Sequence, residues 1–162
     1  MKPLDFGAIY ERYAGDVLRF ALYLSANRGD AEEIAAETFV RAWIATGDIQ
    51  VGTIKAYLFS IARNLYIERY RRRARDGSMP DEIADGSPGP EAAARSRNEL
   101  GAVMAALGAM PEIDRAAVLM RADEVPYDDI ARALGISPAA ARVKVHRARL
   151  KLTALGLGSG GT

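Results

Sequence analysis

The sequence predicts an all-α protein made of two small helical domains joined by a flexible linker, the C-terminal one containing a helix-turn-helix. Apolar residues recur at three- and four-residue spacing through most of the chain, and no stretch alternates as a strand would. The segment DGSMPDEIADGSPGP, 76–90, is rich in glycine and proline and holds no large apolar cluster, so it reads as linker. Near the C-terminus, PYDDIARALGISPAAARVKVHRARLKL, 126–152, breaks at Gly135 between a short helical pattern and a longer, strongly basic one.

Each element follows from its own residues. Ile9, Tyr13, Val17, Phe20 and Leu24 form one stripe, placing a first helix from about Phe6 to Ser25. Asn27-Arg28-Gly29 is a turn, after which Asp30 is expected to cap a second helix reaching about Ala45. Ile34, Ala35, Thr38, Phe39, Ala42 and Trp43 give that helix a wide apolar side, part of which is available to a protein partner. Thr46 to Gly52 has no periodicity and is a loop. A third helix runs from Thr53 to about Arg73 on Ile54, Leu58, Ile61 and Leu65. Beyond the linker, helices are expected over roughly Glu91 to Leu107, from Pro111 to about Ala122, from Asp128 to Leu134, and from Ser137-Pro138 onward. The divisions are 1–75, 76–90, 91–155 and a flexible tail, 156–162.

The last helix carries the clearest chemistry. Ser137 is a good N-cap, and Pro138 fits the first helical position, where no N–H is needed. Arg142, Lys144, His146, Arg147, Arg149 and Lys151 then follow within ten positions. Two helices joined by a tight glycine turn, the second one basic, suit the major groove of DNA.

Charge distribution says more than the net charge of +1 on 162 residues. Arg63, Arg69, Arg71, Arg72, Arg73 and Arg75 crowd one segment, the recognition helix holds a second cluster, and acidic residues lie between. On the third helix Phe59, Arg63, Tyr66, Tyr70 and Arg73 fall within about 80° of one another. Rings and guanidinium groups in alternation suit unpaired bases and their phosphates. Packing of Phe59 and Tyr66 against a neighbouring helix competes with that reading and is favoured for Phe59. Glu33, Glu37 and Arg41 form a polar stripe whose ion pair contributes only about 0.3 kcal/mol.

Several function classes are excluded or disfavoured. With no cysteine there are no disulfides or thiolate metal sites. His146 is the single histidine, and it cannot belong to a histidine metal cluster. Asp128 and Asp129 read as first-turn acids stabilising a helix dipole rather than as a catalytic pair. No phosphate loop, dinucleotide fingerprint or catalytic pair is found, so neither enzymatic activity nor a cofactor is expected. No signal-peptide core and no membrane-spanning stretch is seen, which makes a cytoplasmic protein without membrane insertion the expectation.

Taken in order, these segments resemble an extracytoplasmic-function (group IV, sigma-70 family) RNA polymerase sigma factor. DAEEIAAETFVRAW, Asp30 to Trp43, resembles the helix that docks on the β′ clamp helices of core polymerase. IKAYLFSIARNLYIERYRRR, Ile54 to Arg73, resembles the helix that engages the promoter −10 element, and 110–152 resembles the −35-binding domain with its HRAR ending. The resemblance implies core-polymerase contacts at Glu33, Ile34, Glu37, Thr38 and Arg41. It implies −10 recognition and melting by Ile49, Lys55, Arg63, Asn64, Arg69, Arg71 and Arg72. It implies −35 recognition by Ser137, Ala140, Arg142, Val143, Lys144, Arg147 and Arg149. Core polymerase (β′ clamp helices and β flap), promoter DNA and an anti-sigma factor are the implied partners.

Two departures from the family pattern matter. Ile49 stands where some relatives place an aromatic in the base-pocketing loop, and Ala139, Ala140, Ala141 and Val143 replace the Thr and Ser common on the recognition helix. Small apolar groups touch thymine methyls but cannot hydrogen-bond, which shifts readout toward Arg142, Lys144 and DNA shape. A sigma-like decoy that captures an anti-sigma factor would not need both basic clusters. An ordinary helix-turn-helix repressor would not need the Asp30–Trp43 and Ile54–Arg73 pair.

Overall fold

A computed structural model describes residues 5–45, 53–77 and 100–155. Among these the protein is all-α, with helices α1 (Phe6–Ser25), α2 (Arg28–Ile44), α3 (Ile54–Arg75), α4 (Ala102–Ala109), α5 (Glu112–Ala122), α6 (Tyr127–Leu134) and α7 (Pro138–Ala154). Most of the expected linker and all of the expected tail lie outside the described residues, as do the Thr46–Gly52 loop with Ile49 and the first part of the helix expected from Glu91.

Helices α1, α2 and α3 form the N-terminal half. Val17, Phe20, Ala21 and Leu24 turn one face of α1 inward, where Ala31, Ile34, Thr38 and Ala42 of α2 and Leu58, Phe59, Ala62 and Leu65 of α3 meet them. Phe20 and Phe59 stack with centroids 4.5 Å apart and planes 8° from parallel. The buried Thr38 hydroxyl donates to the Ile34 carbonyl at 2.7 Å, so it leaves no unpaired polar group in the core.

The second helix starts earlier than its acidic residue suggested. Ala26 takes a left-handed conformation (φ 57°) to end α1, and the Asn27 side chain accepts from Asp30 N at 2.8 Å. Asp30 therefore sits inside the first turn, buried, and caps nothing. Its carboxylate instead accepts from both terminal nitrogens of Arg73 on α3, one of them at 2.6 Å. An acid in a first helical turn still favours the positive dipole end, which is why the sequence signal pointed to the right neighbourhood.

In the C-terminal half α5, α6 and α7 enclose Ala116, Ala117, Met120, Ile130, Ala141, Val145 and Ala148, with Leu107 and Met110 added from α4 and the turn after it. Helix α4 runs to Ala109, beyond the expected end at Leu107. The two helical halves also pack directly against each other. One apolar cluster runs through both, and α1 and α3 pack against α4, α5 and α6. Polar ties cross the junction: Arg115 Nη1 donates to the Leu24 carbonyl at 2.8 Å, and Lys55 Nζ donates to the Asp123 carbonyl at 3.3 Å.

Candidate nucleic-acid interfaces

The helix-turn-helix is built by local chemistry. Gly135 ends α6 at φ +69°, a conformation glycine adopts without strain, and Ile136 N donates back to the Ala131 carbonyl at 3.0 Å. Ser137 Oγ accepts from Ala140 N at 3.0 Å, and Pro138 opens α7. Pro126 offers no side-chain cap to α6; Asp128 and Asp129 lie in its first turn, and Asp129 is buried and paired with Arg132 at 3.0 Å. Helix α7 then presents two faces. Ala141, Val145 and Ala148 are buried, while Arg142, Val143, His146, Arg147 and Arg149 are exposed.

The residues expected to read the −35 element separate into three kinds. Arg142, Val143, Arg147 and Arg149 point outward. Ser137 and the half-buried Ala140 form the cap itself. Lys144 is turned inward, 3.7 Å from the buried Asp114 carboxylate of α5, so its charge is directed to the scaffold. Sequence reasoning also missed Tyr127. The Arg142 guanidinium lies 5.1 Å from its ring centroid and that of Arg121 lies 4.6 Å from it, and Arg121 is further held by the Val125 carbonyl at 3.2 Å.

The aromatic–arginine face expected on α3 is only partly open. Phe59 is fully buried, in the core rather than on a base-stacking surface. Tyr70 is half-exposed, and Tyr66 packs beneath Arg115, whose guanidinium lies 5.9 Å from its ring. Arg63 donates through Nε and Nη2 to both oxygens of Glu112 on α5, at 2.8 and 2.7 Å. Lys55 also approaches Asp16 at 3.7 Å. Arg69 pairs with Glu33 at 3.0 Å and lies 3.7 Å from Asp30, while Asn64, Arg71 and Arg72 are exposed. Periodicity alone assigned one face to residues that long-range partners divide among α2, α5 and solvent.

On α2 the polar stripe faces out as expected, with Arg41 3.5 Å from Glu37 and 3.1 Å from Glu68. Ile34 and Thr38, expected to touch a partner, are in the core instead. The exposed apolar groups here are Val40, Trp43, Ile44 and, from α1, Tyr10. Residues on such a wide apolar side cannot be sorted into inward and outward by spacing alone, because α1 and α3 approach α2 from different directions.

Two titrating groups sit at the junction of the halves. Burial raises the Asp123 carboxyl above its ordinary value, with the nearby Lys55 ammonium opposing. Burial likewise raises the Tyr66 phenol, against the Arg115 guanidinium. Among the described residues no group of His, Asp or Glu is arranged to hold a metal ion, and no helix is long and apolar enough to cross a membrane.

Comparison with known proteins returns the same segments. Residues 9–76 match the family model for Sigma-70 region 2, and residues 100–152 match that for Sigma-70, region 4. The chain is 36% identical over 146 residues to the ECF RNA polymerase sigma factor EcfG of Rhodopseudomonas palustris, covering 84% of this chain and 76% of that protein. It is 34% identical over 151 residues to the ECF RNA polymerase sigma factor SigE of Mycolicibacterium smegmatis, covering 89% of this chain and 58% of that longer protein. Among solved structures it is similar to the sigma factor RpoE in complex with the anti-sigma factor NepR from Bartonella quintana, with a TM-score of 0.77, 26% identity, and coverage of 93% of this chain and 96% of that one.

Proposed function

Because the chain belongs to the sigma-70 family, in its extracytoplasmic-function branch, we propose that it binds core RNA polymerase and directs promoter-specific initiation through its −10 and −35 contacts. Members of this family are DNA-binding initiation factors rather than enzymes, and no reaction is assigned to this chain. In this reading 1–75 acts as region 2, 91–155 acts as region 4, and the protein works in the cytoplasm.

The observation that carries the reading is the capped α7, whose exposed face bears Arg142, Arg147 and Arg149 in the same chain as the basic end of α3. Guanidinium groups give bidentate contacts to guanine edges or to phosphates, and Val143 supplies an apolar contact for a thymine methyl. In region 2 the melted strand meets, in this reading, the exposed Asn64, Arg71 and Arg72, joined by Lys55, Arg63 and Arg69 when they exchange their carboxylate and carbonyl partners for DNA. Core polymerase is taken to meet Glu33, Glu37 and Arg41, with Val40, Trp43 and Ile44 adding the apolar area that the buried Ile34 and Thr38 cannot. RpoE was co-crystallised with the anti-sigma factor NepR, and CnrH is seen in complex with the cytosolic domain of CnrY, which supports a protein antagonist here.

The test is transcription from a cognate promoter by the chain with core polymerase. Arg142→Ala and Arg147→Ala should each weaken −35 binding by about 1–3 kcal/mol if they read bases, or lower the salt slope by about one unit if they meet phosphate. Unchanged affinity and salt dependence in both variants would remove α7 from the groove.

A further inference from the structure

We propose that His146 is a base-reading residue: its imidazole donates to N7 of a purine in the −35 duplex, beside a thymine whose methyl rests on Val143. The inference deepens the −35 reading of α7 and rests on it.

Helix geometry places it there. Ala141, Val145, Ala148 and the partly buried Leu152 mark the inward side of α7. At 3.6 residues per turn the opposite side carries Ala139, Val143, His146 and Arg147, all within about 50° of its midline. All four are exposed, and Leu150 shares that side further along the helix. Recognition helices meet base edges with their N-terminal residues, and these four lie within about three turns of the start of α7. The other cations stand to the sides. Arg142 is about a quarter turn from the midline, and its guanidinium lies 5.1 Å from the Tyr127 ring centroid. Lys151 is as far round on the opposite flank, Arg149 lies beyond Arg142, and Lys144 is turned to Asp114. An apolar centre with cations along both edges complements a duplex groove, whose floor presents bases and methyls and whose walls are phosphates.

Within that central sector only His146 and Arg147 have side chains that hydrogen-bond. His146 has no hydrogen-bond, ion-pair or ring partner among the described residues, so binding breaks no contact. Its short stem demands close approach to the groove floor, which the small Ala139 and Val143 on the same side permit. An imidazole offers one N–H donor when neutral and two when protonated, so a donor is present in either state. N7 is the acceptor that adenine and guanine both present in the major groove. The thymine methyl is the apolar group there, and Val143, one turn before His146, supplies its partner.

The experiment uses the full chain with core polymerase and a pool of promoter duplexes randomised across the −35 element, the bound members being sequenced. The wild type should select a purine at one position and thymine at a neighbouring one. His146→Ala should lower the purine preference about three- to tenfold at that position alone, the range expected for one hydrogen bond. His146→Gln, with an amide that suits adenine, should turn the preference there toward adenine. Val143→Ala should relax only the thymine position. Helical content and melting, followed in parallel, show that each variant keeps its fold. In the selected duplex, a 7-deazapurine in place of that purine should weaken wild-type binding about threefold or more and leave His146→Ala unaffected. Losses that add when the two changes are combined would overturn the N7 contact. A uniform loss across the pool with a lower salt slope would make His146 a phosphate ligand. Unaltered preferences in both His146 variants would assign the centre of α7 to a protein partner, and either result overturns the proposal. If the wild type itself selects no bases, the −35 reading of α7 fails and this inference falls with it.

Discussion

Replacing Phe59 by alanine separates two roles that the sequence left in competition. In the structure its ring is fully buried and stacked on Phe20 at 4.5 Å, with Ala62 and Leu65 on the same inward side of α3. Truncating a buried phenylalanine costs about 3–5 kcal/mol through lost transfer free energy and the cavity left behind. The parallel partner argues for the upper part of that range, since a stacked pair contributes about 0.5–1.5 kcal/mol beyond its area. For a chain of this size each kcal/mol lowers the melting midpoint by about 2–4 °C, so Phe59→Ala should fall by roughly 10 °C or more. Urea unfolding followed by circular dichroism gives the free energy directly, provided the denaturant slope is unchanged. A base-stacking ring would behave oppositely, with stability kept and about 1–3 kcal/mol lost in strand affinity. An unfolding free energy within about 0.5 kcal/mol of wild type, together with weakened strand binding, would refute the core assignment.

Tyr127 offers a test of how Arg142 is positioned. The Tyr127 ring is partly buried, and a cation over a ring that water still reaches contributes about 0.5–1 kcal/mol, so Tyr127→Leu should weaken −35 duplex binding about two- to fivefold while Tyr127→Phe should not. In an Arg142→Ala background the leucine change should add nothing, and additive losses in that double-mutant cycle would show that the ring acts elsewhere. For Asp123, faced by Lys55, Asp16, Arg19 and Glu124, burial raises the folded-state value above the unfolded one. Its protonated form is then favoured on folding, so its contribution is present at acid pH and is lost as pH rises through the raised value. Wild-type stability should carry a small decline as pH rises from the ordinary carboxylate range through the raised Asp123 value, a decline that Asp123→Asn abolishes, measured as urea midpoints against pH. An identical profile in the variant would assign the decline to other groups.

Local chemistry was legible where it acts over a few residues. The Ser137–Pro138 cap, the Gly135 turn, the extent of α1 and the outward Glu37–Arg41 pair all follow from spacing and residue type. What spacing could not reveal were partners distant in sequence. Arg63 meets Glu112, Arg73 meets Asp30 and Lys144 meets Asp114, and each pairing turns toward the protein a cation that the sequence had pointed at nucleic acid. Ile34 and Thr38 failed as surface residues because α2 is covered by two helices at once, while the exposure of Val40 and Ile44 follows from that same coverage. The junction of the halves was invisible for a related reason: the linker composition predicted tethering, and nothing in a tether discloses where its ends rest.

The small inward side chains of α7 have an evolutionary corollary. Ala141, Val145 and Ala148, with the partly buried Leu152 and the inward Lys144, anchor that helix, while the positions that look toward a groove carry little of the fold's packing. Substitutions at exposed sites usually alter stability by no more than about 0.5 kcal/mol. Binding preference can therefore drift from one target site to another while the scaffold stays intact, which gives duplicated copies of such a gene a short path to separate sets of targets.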